Sequence, residues 1–95
     1  MVATGNEIVV DADGNEEFRN LAALRFRDAR HSEALVEHAA DQLLERARGG
    51  HVGERELQLF GPPREVLSLR ALPLIADGRV FGAVALIHDV TEARR

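Results

Sequence analysis

The feature that most constrains this chain is a single long helical pattern near its middle. The stretch "SEALVEHAADQLLERARGG" predicts a helix over residues 32–48, with Ser32 as a good N-cap and Gly49-Gly50 as a left-handed stop. Its apolar residues recur at three- and four-residue spacing and form one broad face: Leu35, Val36, Ala39, Ala40, Leu43, Leu44 and Ala47. One such helix can cover only one face of a sheet.

Two strand patterns precede the helix. The β-branched run in "EIVVDADG" is closed by Asp13-Gly14, a pair typical of tight turns. A second, short strand is predicted around Phe18, and it passes into a helical turn at Asn20, although the residues 21–24 also favour a helix. The long helix is therefore expected to follow a hairpin and a short connecting segment.

Three further strands are predicted after the helix, in "ERELQLF", "EVLSLRALPL" and "VFGAVALIHDV". Asp77-Gly78 predicts a tight hairpin turn between the last two. The final strand is apolar on both faces, with Phe81, Ala83, Ala85 and Ile87 on one and Val80, Val84 and Leu86 on the other. Because apolar residues on both faces imply cover on both, Val80, Val84 and Leu86 form a candidate dimer face, to be covered by a second subunit or a flanking helix.

Composition excludes several classes of function. The 95 residues suit one domain, and the lack of cysteine removes disulfides, thiolate metal sites and cysteine nucleophiles. A net charge of −4, with arginines scattered among the acids, argues against a nucleic-acid partner, and no apolar run suits direct membrane contact. The sequence contains no catalytic motif and no metal-ligand spacing, so we expect neither enzymatic activity nor a metal or other cofactor.

The order of these elements resembles a PAS domain. "VVDADGNEEFRNLAA" is similar to the opening of that family, and "DGR" followed by "GAVALIHDVTEARR" is similar to its ending in bacterial sensor histidine kinases. The resemblance implies an α+β fold in which a five-stranded antiparallel sheet carries one main helix and abbreviated short helices on one face. It also implies a PAS-like core over residues 7–90, after a flexible N-terminal segment at residues 1–6.

The same resemblance implies a role in signalling. Residues 91–95 would begin a linker helix to an output domain, with Asp89, Val90, Thr91 and Arg94 as the signal-relay junction. The expected protein is a cytoplasmic, homodimeric sensory domain of a two-component system, whose parent chain is a histidine kinase. A membrane anchor elsewhere in that parent chain is compatible with this expectation. On chemical grounds alone, Asp89 and Thr91 could equally cap the final turn and transmit nothing.

A second hypothesis is a small-ligand-binding PAS domain. Its apolar pocket would lie between helix 32–48 and the sheet, and its candidate lining is Leu35, Ala39, Leu43, Leu67, Leu69, Ala85 and Ile87. A lining without a polar anchor is also what a packed hydrophobic core looks like in sequence, so a filled core is the simpler interpretation.

Overall fold

The structure is a computed structural model that describes residues 5–27, 32–61 and 63–94, without the side chains of Leu21, Ser32 and Arg94. Its elements are β1 (Asn6–Asp11), β2 (Glu16–Arg19), the 3-10 helix η1 (Leu21–Phe26), α1 (Ser32–Arg48), β3 (Gly53–Leu59), β4 (Glu65–Ala76), β5 (Arg79–Asp89) and the 3-10 helix η2 (Glu92–Arg94). The predicted cap side chain of Ser32, the side chain of Arg94, and residues 1–4 and 95 lie outside the described part.

The five strands form one antiparallel sheet in the order β2-β1-β5-β4-β3. The strand predicted to be apolar on both faces, β5, is the central strand and pairs with β1 and β4. The predicted α+β fold, with a PAS-like five-stranded sheet and one main helix, is confirmed.

Helix α1 and the shorter η1 cover one face of the sheet, which we refer to as the inner face. The core between these layers contains Phe26 from η1, Val36, Ala40 and Leu44 from α1, and Ile8, Leu69 and Ile87 from the sheet. One residue of the predicted apolar helix face does not join this core: Leu35 is 60% exposed. Its neighbour Val36 lies about 100° around the helix and is fully buried.

Two tight turns have the backbone conformations that were predicted from their sequences. The turn between β4 and β5 places both Asp77 (φ 51°) and Gly78 (φ 75°) in the left-handed region, as expected for an Asp-Gly hairpin turn. Helix α1 ends in Gly50, whose φ of 94° and N–H bond to the Ala47 carbonyl, 2.9 Å, close the last turn.

The pairing of β1 with β5 depends on a glycine. At Gly82, which lies opposite Asp11, a Cβ atom would be only 2.3 Å from the carbonyl oxygen of Val10. Because that neighbour is backbone in a paired strand, it cannot move aside as a flexible side chain could. The close approach of these two strands therefore requires glycine at position 82.

The segment between β2 and α1 is short. Asn20 caps η1 by accepting a hydrogen bond from the Ala23 N–H, and it also accepts from the Glu7 N–H and donates to the Gly5 carbonyl, all at 3.0 Å. One side chain thus ties the start of β1 to the start of η1.

Within the described residues, no helix combines the length and apolar character needed to span a membrane.

Candidate functional site

The chain leaves the sheet through a set of hydrogen bonds that we refer to as the exit clasp, made by Val66, Asp89, Val90 and Thr91. The Val90 N–H donates to the Val66 carbonyl at 2.8 Å, and the Val66 N–H donates to the Thr91 hydroxyl oxygen at 3.0 Å. That hydroxyl in turn donates to the Asp89 carboxylate, which also accepts from the Thr91 N–H at 2.9 Å. The clasp fastens the segment after β5 to the first residues of β4.

The exit clasp stabilises the charged form of Asp89. Hydrogen bonds from the Thr91 hydroxyl and from the Thr91 N–H lower the pKa of Asp89 below its ordinary value, and the nearby Arg25 adds to the effect. A carboxylate held in its charged form is a stronger acceptor than a neutral carboxyl group, so the clasp is tightest when Asp89 is ionised.

A small cavity of about 180 Å³ lies beside the clasp. It is lined by residues from the start of β1, from η1, from β4 and from the end of β5: Gly5, Asn6, Ala22, Arg25, Leu67, Ile87 and Asp89. Arg25 reaches across this region to form ion pairs with Glu33 at 2.8 Å and with Glu65 at 3.0 Å. The cavity is smaller than usual ligand pockets, which run from about 300 Å³ upward.

The predicted dimer residues lie on the outer face of the sheet, the one opposite α1. Val80, Val84 and Leu86 are half-buried, whereas Ala83, Ala85 and Ile87, which alternate with them, are buried on the inner face. Val84 lies between Val9 and Leu72, and Phe18, opposite Val9, is 51% exposed. An apolar row therefore crosses four strands of the outer face.

Six of the seven predicted pocket residues meet in the hydrophobic core. They are all buried, and they pack against one another and against η1: Ala39, Leu43, Leu67, Leu69, Ala85 and Ile87. The seventh, Leu35, is exposed on the far side of α1. This packing favours a core filled by side chains over the expected ligand pocket between helix and sheet.

The sequence interpretation missed an arginine whose side chain is buried between β2, η1 and α1. The side chain of Arg19, at the end of β2, is 2% exposed and binds Glu37 of α1 through two N–H···O bonds of 2.8 Å. It also donates to Glu16 and to the Ala23 carbonyl. The hydrogen bonds that Arg19 donates to Glu37, above all, raise the pKa of Arg19. A lone arginine ending a short strand carries no sequence signal for such contacts, because its partners come from three different segments.

A second feature missed in the sequence is a cleft of about 310 Å³ between the end of α1 and the β1–β2 turn. Its lining includes the charged side chains of Asp41, Glu45 and Arg48. Their spacing along the helix could have indicated a common face, but the neighbouring turn could not be placed from sequence. Among the described residues, no three acidic or histidine side chains are grouped closely enough to hold a metal ion.

Comparison with known proteins supports a sensory role. No protein-family model matches the chain, and no curated protein matches it either. Among solved structures, the chain is similar to the sensor region of a sensor histidine kinase, with 26% sequence identity and a TM-score of 0.60. The match covers 95% of this chain but 41% of that sensor region, so the chain spans less than half of its neighbour. The similarity supports a sensory signalling domain.

Proposed function

We propose that this chain is a cytoplasmic PAS-type sensory domain of a bacterial two-component signalling protein. It dimerises and passes a conformational bias through Asp89, Val90 and Thr91 to a downstream histidine kinase domain. The observation that carries the proposal is the exit clasp, which couples the departing chain directly to a strand of the sheet. The similarity to a kinase sensor region supports the class of protein.

The relay follows from how the clasp is built. Thr91 is bonded to the backbone of Val66 in β4 and to Asp89 at the end of β5. A shift of β4 against β5 cannot keep both bonds at good length, because each requires donor and acceptor within about 3.2 Å. The clasp therefore has a made and a broken arrangement, and the segment after Thr91 leaves the sheet at a different angle in each.

Dimerisation through the outer face follows from the apolar row. A sheet face that presents Phe18, Val9, Val84 and Leu72 across adjacent strands places apolar surface next to solvent in a single copy. Burying it against the same face of a second copy removes that surface from water at about 25 cal/mol per Å². In a dimer, the two departing segments would also be brought into one assembly, as a kinase domain that acts in pairs requires.

Sedimentation of variants tests the dimer. Val84→Glu places a charge in the middle of the apolar row, and it should convert dimers to monomers while the circular dichroism spectrum stays that of the parent. Leu35→Glu is the matched control, because Leu35 is 60% exposed on the helix layer. It introduces the same charge and should leave the dimer intact. A Val84→Glu protein that sediments like the parent removes the outer face as the interface.

A chimera tests the relay separately. Residues 1–95 are joined, with helical phase kept, to the phosphoacceptor and ATP-binding domains of a histidine kinase. Thr91→Val removes the hydroxyl that joins Val66 to Asp89, and it should change the autophosphorylation rate at least about threefold, equivalent to a bias of roughly 0.7 kcal/mol. Thr91→Ser keeps the hydroxyl and should preserve the parent rate. Equal rates in all three proteins would show that the clasp caps the strand and relays nothing.

A further inference from the structure

We propose that the cleft at the end of α1 binds a small zwitterion, specifically a free α-amino acid with an apolar side chain. The cleft adjoins Val10, which pairs with Ala83 near the middle of β5, away from Asp89 at the end of that strand. It shares no residue with the exit clasp or with the outer-face row. The inference goes beyond the proposed signalling role and does not rest on it.

The cleft is formed by one stripe of the helix facing one hairpin. Asp41, Leu44, Glu45 and Arg48 stand at spacings of three and four residues, which places them along a single line on α1. Val10 and Gly14 of the β1–β2 hairpin form the facing wall. With a volume of about 310 Å³, the cleft falls at the lower end of the range for small-molecule sites.

The guanidinium of Arg48 is held in a defined position in this cleft. It packs directly on Gly14, where a Cβ atom would lie 2.3 Å from its Nη1 atom. Its Nε atom is buried and has no hydrogen-bond partner among the described residues. Such a donor is unusual, since the great majority of buried polar groups are paired. A carboxylate, which accepts two parallel bonds from a guanidinium, is the group that best matches it.

The two acidic residues on the same helix stripe, Asp41 and Glu45, would bind the positively charged group of such a ligand. No hydrogen bond or ion pair joins Arg48 to Asp41 or to Glu45 in the described part of the chain. Burial, followed by repulsion from Glu37, raises the pKa of Asp41, so a cation beside it would relieve both effects. Two carboxylates four residues apart on one helix face are well suited to sharing one ammonium group.

One class of small molecule satisfies both halves. An α-amino acid carries its ammonium and carboxylate groups on the same carbon atom, so both charges fit within a small cleft. Val10 and Leu44 are the apolar members of the lining, against which an aliphatic side chain would pack. A free amine would leave Arg48 unsatisfied, and a simple carboxylate would leave the acids unsatisfied.

Titrations followed by two-dimensional NMR of the labelled chain test this site. L-leucine, 4-methylpentanoate and 3-methylbutylamine are compared at concentrations up to about 10 mM. This range detects complexes with dissociation constants up to about 10 mM. L-leucine should give saturable shifts of the Gly14, Asp41, Glu45 and Arg48 amide signals, and the two half-molecules should bind at least about tenfold more weakly. Absence of saturable shifts there, or equal binding of all three compounds, overturns the proposal.

Variants test which side chains bind the carboxylate and the ammonium group of the ligand. Arg48→Met and Asp41→Asn should each weaken L-leucine binding at least about tenfold. Arg70→Met, an exposed arginine on β4 outside the cleft, should leave it unchanged. If Arg48→Met disturbs the fold, as its NMR spectrum would reveal, the Asp41→Asn result decides alone. Asp41 tolerates substitution because the residue as a whole is exposed and its carboxyl group is only partly desolvated. Binding that survives Asp41→Asn shows that the acids do not hold the ammonium group.

Discussion

The guanidinium of Arg19 and the carboxylate of Glu37 meet in a two-bond ion pair that joins the edge strand β2 to the main helix α1, with both N···O distances at 2.8 Å. Arg19 is 2% exposed in its side chain, whereas Glu37 retains 24% exposure. All of the nitrogens of Arg19 donate, to Glu16, Glu37 or the Ala23 carbonyl. The pair therefore acts as the polar contact that fixes β2 and η1 against α1.

Replacing Arg19 with Met should destabilise the domain by roughly 2–3 kcal/mol, somewhat below the 3–5 kcal/mol typical of breaking a fully buried pair. The loss is smaller than that range because both acids left behind, Glu16 and Glu37, reach solvent. Urea unfolding followed by circular dichroism measures the change. Arg70→Met is the control: its ion pair with Glu54, at 3.6 Å, is well exposed and should contribute less than about 0.5 kcal/mol.

Replacing Thr91 with Val should raise the pKa of Asp89 toward its ordinary value of 3.8, because the two hydrogen bonds that lower it include the hydroxyl bond. In the parent, the lowered pKa means that the clasp stabilises the fold above pH 3.8 and loses that contribution as the pH falls through the folded-state pKa. An NMR titration of the Asp89 carboxyl from about pH 6 to about pH 2 spans this change. Thr91→Ser should keep the low pKa. An unchanged pKa in Thr91→Val would contradict the clasp.

Replacing Gly82 with Ala should cost about 1–3 kcal/mol or more, the usual range for inserting a methyl group into a packed site. The added Cβ would lie 2.3 Å from the Val10 carbonyl oxygen, so β1 and β5 must separate locally. Gly61→Ala provides the comparison, because a Cβ there meets nothing within 4 Å and the position has no positive φ. Thermal unfolding of both variants checks the difference, and equal melting temperatures would count against the strand contact.

Replacing Asp41 with Asn should raise the melting temperature at neutral pH. Burial, and then repulsion from Glu37, raises the pKa of Asp41, so its charged form opposes folding once the pH exceeds that pKa. The cost is absent below the ordinary value of 3.8, where the carboxyl is protonated in both the folded and the unfolded state. Melting curves of the two proteins should therefore converge at low pH. A lower melting temperature for Asp41→Asn at neutral pH would contradict this account.

Much of the fold could be predicted because local and periodic signals agree. The helix has the predicted bounds, Ser32–Arg48, and the Asp77-Gly78 turn adopts the backbone conformation that the pair favours. The two apolar faces of β5 are compatible with its place as the central strand, although they were interpreted as a sign of outside cover and not of strand order. Leu35 was assigned to the core face incorrectly, since periodicity defines a stripe only to within one neighbouring residue.

The contacts that shape the sites could not be predicted in the same way. The Asp-Val-Thr pattern indicated Asp89 and Thr91 as junction residues, but the bond from Val66 depends on the register of β4 against β5, which sequence leaves open. Arg48 looks like an ordinary basic residue at a helix end. Only the position of Gly14 in the neighbouring hairpin shows that its guanidinium lies over backbone. Long-range contacts of this kind have no local periodic signature.

The start of β1, where the chain enters the sheet, and the end of β5, where it leaves, lie side by side. At Gly5, an added Cβ would touch the imidazole of His88 at 2.7 Å, and the Gly5 carbonyl is held by Asn20. The backbone that arrives at β1 and the backbone that departs from β5 thus share one corner of the molecule. A displacement of the incoming strand would reach the outgoing one over a few ångströms, and through Asn20 it would also reach the start of η1.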